Sequence, residues 1–296
     1  MNSNVASFDS FDTDQQIAAH QAGLVRVILE GGSDVQLFSR FWFTNRQETF
    51  QFIDPKTLGL GNGCTAVADA VTYSRQEGVP AFGIIDRDTL FRNKNWGLLF
   101  NIDGSIANTN WQAARIYVTS LWEVEAYLLD PDLLYRWVEA GYQPRPGPSE
   151  ECEKALSRTI EACETLLEAT PYFAVQHEGG NSVPPAFCYN ESSQQLILVC
   201  EGKIAALDAN AQASAAQIKA MIQIIIENKP ADQADRLRFL LRYVDTKRLI
   251  NRLTHSLKLD KDAHWILATL MKSEGRQPTE FNQILDHFEG IEFAHG

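Results

Sequence analysis

Two apolar runs in this chain end in acids whose spacing suits a hard metal ion. IIDRD (84–88) closes with Asp86 and Asp88, and ILEGGSD (28–34) turns polar at Glu30. On an extended chain, side chains two residues apart project to one side, so Asp86 and Asp88 can address one cation while Arg87 points away. With Glu30 they offer the oxygens that Mg²⁺ accepts while it keeps several waters. In a two-metal arrangement, ions roughly 3.5 to 4 Å apart clamp the attacking and leaving oxygens of a phosphodiester. A plainer reading stays open: Asp is common where a strand turns, and Ser33 or Asp34 can cap the helix after Glu30. The combination is less ordinary than either motif, because two separate strands both end in acids.

The elements that must position these residues follow from periodicity. LVRVILE (24–30) is β-branched and apolar, and GGSD then opens the amphipathic run VQLFSRFWF, which predicts strand, turn and helix. ETFQFID (48–54) reads as a second strand, followed by the loop GLGNG and a helix from about Cys64 to Arg75. VPAFGIIDRD (79–88) and ARIYVTS (114–120) read as a third and a fourth strand. Alternating strands and helices predict an α/β fold with a mainly parallel sheet covered on both faces. Its ligand site belongs at the carboxyl ends of the strands, which places Glu30 and Asp86 at one edge.

Farther on, LWEVEAYLLDPDLLYRWVEAG (121–141) reads as helical, and QPRPGPSEE is the clearest internal boundary. ECEKALSRTIEACETLLEA reads as a helix, AFCYN and QQLILVC as strands of an inserted hairpin, and AQASAAQIKAMIQIIIEN as an apolar helix suited to a core or a subunit interface. RLRFLLRYVD (236–245) fits a strand or a helix; TKRLINRLTHSL and AHWILATLMKSEG read as helices. These divisions predict a core over 20–141, a mainly helical insertion with a short β-hairpin over 150–235, and a C-terminal segment over 236–296.

Composition removes several function classes. The 296 residues, 45% of them hydrophobic, can furnish a real core. The first 20 residues lack a secretory signal, and no stretch approaches the roughly 18 apolar residues of a membrane helix, so a cytoplasmic protein without membrane contact is expected. Five cysteines form no CxxC pair, the histidines form no HExxH, and no GxSxG occurs, so zinc and serine hydrolysis lack a warrant. A net charge of −12 opposes a surface that grips nucleic acid everywhere, yet excess carboxylates are what a hard-cation site consumes. The one basic stretch holds Arg236, Arg238, Arg242, Lys247, Arg248, Arg252, Lys258 and Lys261. It suits either a phosphate backbone or an ordinary solvated helix face.

With these motifs in hand, the chain resembles the TOPRIM domain shared by topoisomerases, primases and overcoming-lysogenization-defect (OLD) nucleases, a Rossmann-like fold. Its signature is a glutamate ending the first strand and a DxD ending the third, matched by ILEGGSD and IIDRD. LWEVEAYLLDPDLL (121–134) and GNGCTAVADAV (61–71) are similar to segments of the bacterial subfamily that includes the effector of the PARIS anti-phage system. The likeness covers about residues 24–135. It probes as far as RYVDTKRLINRL (242–253), which is similar to a downstream lysine segment but has Thr246 where glycine is usual.

The resemblance implies Glu30, Asp86 and Asp88 as ligands of Mg²⁺ or Mn²⁺, with Glu123 and Glu125 at the subfamily's acidic positions. On a helix, residues two apart diverge, so Glu125 is the first choice as base or additional ligand, with Glu123 beside the metal. Lys247 is the expected site lysine, with Lys203 as competitor, placed to stabilise charge developing on the phosphoryl oxygens. The implied activity is metal-dependent cleavage of nucleic acid, tRNA or DNA, by a toxic anti-phage effector; a homodimer is expected because duplex or folded RNA substrates often need two active sites or a composite groove. No GxxxxGK[ST] occurs, so ATP control implies a partner ATPase of the ABC type. Two alternatives are an OLD-type DNA-nicking nuclease and a non-catalytic subunit with a vestigial site. A TOPRIM ligase or primase-like polymerase is disfavoured, for want of a nucleotide-handling motif or zinc module.

Overall fold

The computed structural model describes residues 23–102, 115–143, 146–189, 192–260 and 262–293. The opening segment 1–20, Trp111, Ala114 and Lys261 therefore lie outside the described residues. The chain divides into two compact units, the first holding residues 23–85, 115–118 and 274–293, the second the remaining described residues up to 273.

The first unit is built on a four-stranded sheet, β1 (Val25–Ile28), β2 (Phe50–Ile53), β3 (Ala81–Ile85) and β4 (Ile116–Val118), in the order β2-β1-β3-β4. Every pairing is parallel, as the alternation of strands and helices predicts. Every residue of VRVI and AFGII is buried, the continuous apolar reading typical of strands covered on both faces. Buried Arg26 is satisfied within this core by Gln51 and Ser74, each at 3.1 Å.

Helix α1 (Gly32–Gln36) follows β1, and the Asp34 carboxylate accepts the Gly31 N–H at 3.1 Å, so Asp34 is a capping residue. Helix α2 (Cys64–Gln76) matches its expected span. It lies on the face of the sheet where Gly83 sits: a Cβ there would come 2.6 Å from Val67 Cγ1 and 3.2 Å from Val71 Cγ2. Phe82 points to the other face, because neighbouring strand residues alternate. There it stacks on Phe288 of the last helix of the unit, Thr279–Phe293, with ring centroids 3.9 Å apart. Helices therefore cover both faces of the sheet.

Chain order along the sheet reverses between β1 and β3, the kind of switch point at which α/β sheets place ligands. Glu30, half-buried, lies two residues beyond the end of β1, and the chain leaves β3 at Ile85 directly into Asp86.

The second unit is helical. In chain order it holds α3 (Asp88–Arg92), α4 (Trp96–Leu99), a 3₁₀ turn (Val124–Leu128), α5 (Leu134–Gly141), α6 (Ser149–Glu153) and the long α7 (Ala155–Glu178). There follow α8 (Ser193–Ala205), α9 (Ala209–Glu227), α10 (Gln233–Leu240), α11 (Thr246–Ser256) and α12 (Ala263–Ser273). Helices α8 to α11 pack against α7, and α12 packs against α5 and the 3₁₀ turn. The Pro- and Gly-rich boundary of the sequence falls inside this unit, between α5 and α6.

Three sequence readings are resolved here, two of them as corrections. The hairpin over AFCYN and QQLILVC is absent: Pro185–Cys188 is a 3₁₀ turn and QQLILVC lies in α8. Ser192 starts α8 by accepting the Gln195 N–H at 3.3 Å, and Leu196 and Cys200 bury one helical face at a spacing of four. Second, RLRFLLRYVD, which fits a strand or a helix by sequence, is helical as far as Leu240. Third, 121–141 is not one helix but an extended Glu123, a 3₁₀ turn and then α5. No helix among the described residues is long and apolar enough to cross a membrane.

Candidate metal centre

The carboxylates that the second unit brings together come from two places in its chain, the exit of β3 and the 3₁₀ turn Val124–Leu128. Asp86 is buried, 5% exposed, and its Oδ1 accepts the Val124 N–H at 2.9 Å, which ties it to the first residue of the 3₁₀ turn. Glu123, 2% exposed, stands at that turn's N-cap with extended backbone angles (φ −155°, ψ 169°). That extended residue is why Glu123 and Glu125 do not diverge as they would on a helix. One oxygen each of Asp86, Glu123 and Glu125 lies within 4.8 Å of the others.

Asp88 is placed differently from its sequence reading. Arg87 has helical angles and Asp88 opens α3, so DRD is not extended. An oxygen of Asp88 still comes within 4.8 Å of one of Asp86. Arg87 does turn away: it is buried, donates to the Leu99 carbonyl at 2.7 Å and lies over the Tyr243 ring at 5.5 Å. Arg92, one helical turn on, holds Asp88 Oδ2 at 2.6 Å.

Lys247 is the lysine at this cluster. It follows Thr246 in the first turn of α11, and its backbone N–H donates to Glu123 Oε1 at 2.9 Å. Its ammonium donates to Glu123 Oε2 at 2.6 Å and lies 3.5 Å from Glu125 Oε1. The Glu123 carboxylate thus satisfies an otherwise orphaned N–H at the positive end of a helix. Lys203, the competing residue, lies on α8 with its ammonium 5.9 Å from the Phe187 ring centroid.

Burial shapes the electrostatics. It pushes the Glu123 carboxyl up to about 8; the Lys247 ammonium opposes this, and Glu125 and Asp245 add to it. Burial also raises Asp88 above the usual aspartate range, against the pull of Arg92 and Lys247. By itself burial would lower Lys247, but Glu123 and Glu125 more than offset it and hold the ammonium protonated beyond the ordinary lysine range.

Two carboxylate oxygens, Asp88 Oδ1 and Glu125 Oε2, are buried and accept no hydrogen bond. A buried acceptor left without a donor costs about 1–3 kcal/mol, more when charged. A cation bound by these oxygens removes that cost. When all four carboxylates are ionised, as ion binding requires, the charges of Lys247 and Arg92 leave an excess of two negative charges, the complement of a divalent ion. An all-oxygen donor set suits hard ions and excludes the sulfur and imidazole chemistry of structural zinc sites. The cluster Asp86, Glu123 and Glu125 could hold a metal ion.

The sequence missed Arg92, although its spacing of four from Asp88 is readable. It also missed the backbone donors of Val124 and Lys247, which no side-chain pattern signals. The basic stretch is largely absorbed by the fold: Arg236, Arg248 and Arg252 donate to backbone carbonyls of Pro230, Val183 and Cys188 at 2.6 to 2.9 Å. The chain matches no protein-family model, and it has no significant match among curated proteins or solved structures.

Proposed function

We propose that this protein is a Mg²⁺-dependent nuclease of TOPRIM type, in which Asp86, Glu123 and Glu125 hold the ion with Asp88 and Glu30. The observation that carries the reading is the convergence of the first three carboxylates beside the Lys247 ammonium, with an acceptor oxygen of Glu125 left orphaned. Glu30, which follows β1 in the first unit, enters as the ligand that the sequence resemblance implies. Mn²⁺ would serve as an alternative ion.

When bound, a hard divalent ion polarises the scissile phosphodiester and lowers the pKa of attacking water. The chain's own residues supply the rest. Asp86, fixed by the Val124 N–H, orients the ligand set. Glu125 accepts the proton of the attacking water. Lys247, paired with Glu123 and with its side chain 59% exposed, would be placed to meet charge developing on the phosphoryl oxygens if Glu123 served as a metal ligand.

By its likeness to the PARIS effectors, the protein would be a toxic anti-phage effector restrained by an ABC-type ATPase and cutting tRNA; an OLD-type enzyme would nick DNA instead. Incubating the purified chain with total tRNA and with supercoiled plasmid, with Mg²⁺, Mn²⁺ or EDTA, separates the two substrates. Metal-dependent cleavage that is lost in Asp86→Asn and in Glu30→Gln supports the reading. Cleavage that survives Asp86→Asn, or none with either substrate, refutes it and favours a regulatory subunit.

A further inference from the structure

Beside the carboxylates lies a small aromatic cavity for which the reaction so far has no use. It measures about 130 Å³ and is lined by Phe91, Trp122, Phe173, His177, Asn181 and Asp245 among others. That is well below the roughly 300 Å³ at which drug-sized ligand sites begin, so it has room for one heterocycle rather than a whole nucleotide. Phe91 anchors the aromatic wall, with centroids 5.2 Å from His177 and 5.7 Å from Trp122. The Arg248 guanidinium covers Phe173 at 4.7 Å and is held there by Asp245 at 3.0 Å.

The cavity shares its walls with the metal centre. Asp88 donates its N–H to the Trp122 carbonyl at 2.9 Å. His177 Nε2 lies 3.1 Å from the carbonyl of Arg92, the residue that holds Asp88. The other ring nitrogen, Nδ1, is left for a further hydrogen bond. Asp245 caps α11 two residues before Lys247. Aromatic faces, an imidazole nitrogen and the exposed amide of Asn181 form the combination that stacks a base and reads its edge.

We propose that this cavity binds one unstacked nucleobase of the substrate, next to the phosphate addressed by the metal centre. The inference rests on the nuclease reading but is tested without cleavage. The full chain, with Mg²⁺ present, is titrated with AMP, CMP, GMP and UMP and with ribose 5-phosphate, none of which contains a diester. At least one mononucleotide should bind tighter than ribose 5-phosphate by about 5- to 150-fold, the span of base–aromatic stacking. His177→Ala should erase most of that difference and leave ribose 5-phosphate binding unchanged. Asn181→Ala, an exposed loop change that spares the fold, should narrow it. If mononucleotides and ribose 5-phosphate bind alike, or the difference survives both variants, the cavity takes no base. A chain that discriminates bases but cuts nothing retains the cavity and loses the nuclease reading; one that cuts without discriminating does the reverse.

Discussion

Glu125→Gln separates a metal ligand from a merely structural carboxylate, because the two roles predict changes of opposite sign. Its Oε2 is buried and accepts no hydrogen bond, while its Oε1 lies 3.5 Å from Lys247. The amide keeps the shape and removes a charge that lacks full compensation, so the ion-free variant should match the wild type or exceed it by about 1 kcal/mol. Mg²⁺ acts the other way. An ion at about 100 times its Kd stabilises the wild type by about 2.7 kcal/mol, or about 5–10 °C for a chain of this size. A ligand loss that weakens binding about 30- to 100-fold cuts that gain to about 0.4–0.8 kcal/mol at the same ion concentration. Thermal unfolding in EDTA and in Mg²⁺ measures both quantities. A variant less stable than the wild type in EDTA, yet with the full Mg²⁺ increment, would refute the assignment.

Other perturbations follow from the same geometry. Lys247→Met should leave Mg²⁺ binding intact or tighter, since the ammonium competes for Glu123, while single-turnover cleavage falls about 10²- to 10³-fold, as when one charge-stabilising donor is removed; unchanged cleavage would sink the lysine's role. In the ion-free protein the raised Glu123 contributes stability that is full below the ordinary glutamate value and lost as pH rises through about 8. Ion binding needs the carboxylate, so Mg²⁺ affinity should rise from pH 6 to pH 8 with release of protons, which calorimetry in buffers of different ionisation enthalpy detects; pH-independent binding would contradict it. Gly83→Ala should cost about 1–3 kcal/mol by overpacking, because its Cβ would meet Val67 Cγ1 at 2.6 Å, and urea denaturation checks it: an unaffected midpoint would mean that α2 moves freely.

How much of this was legible depends on where the information lies. β1 and β3 were readable because strands buried on both faces must be apolar throughout, and VRVI and AFGII are. QQLILVC was misread because β-branched residues favour strands in isolation; the Ser192 cap and the burial of Leu196 and Cys200 settle the matter through contacts that composition does not show. Asp86 was found by its position after an apolar run. A helical reading of 121–141 makes Glu123 and Glu125 diverge; their convergence depends on one extended residue before a 3₁₀ turn, a backbone choice stabilised from far along the chain by the Lys247 N–H.

That long-range tie helps an acidic protein hold several carboxylates close together. Without an ion, carboxylates this close repel one another, and the folded chain holds them by three means: the protons that a raised Glu123 and Asp88 retain, the Arg92 guanidinium on Asp88, and the Lys247 ammonium on Glu123. Each is reversible. Under the proposed reading, a divalent ion bound by these carboxylates would displace the protons and replace the ammonium on Glu123, so the positive charge near a phosphate would come with the metal rather than from a basic surface. If the chain acts on nucleic acid as proposed, its affinity should depend on the ion, because a net charge of −12 opposes a polyanion.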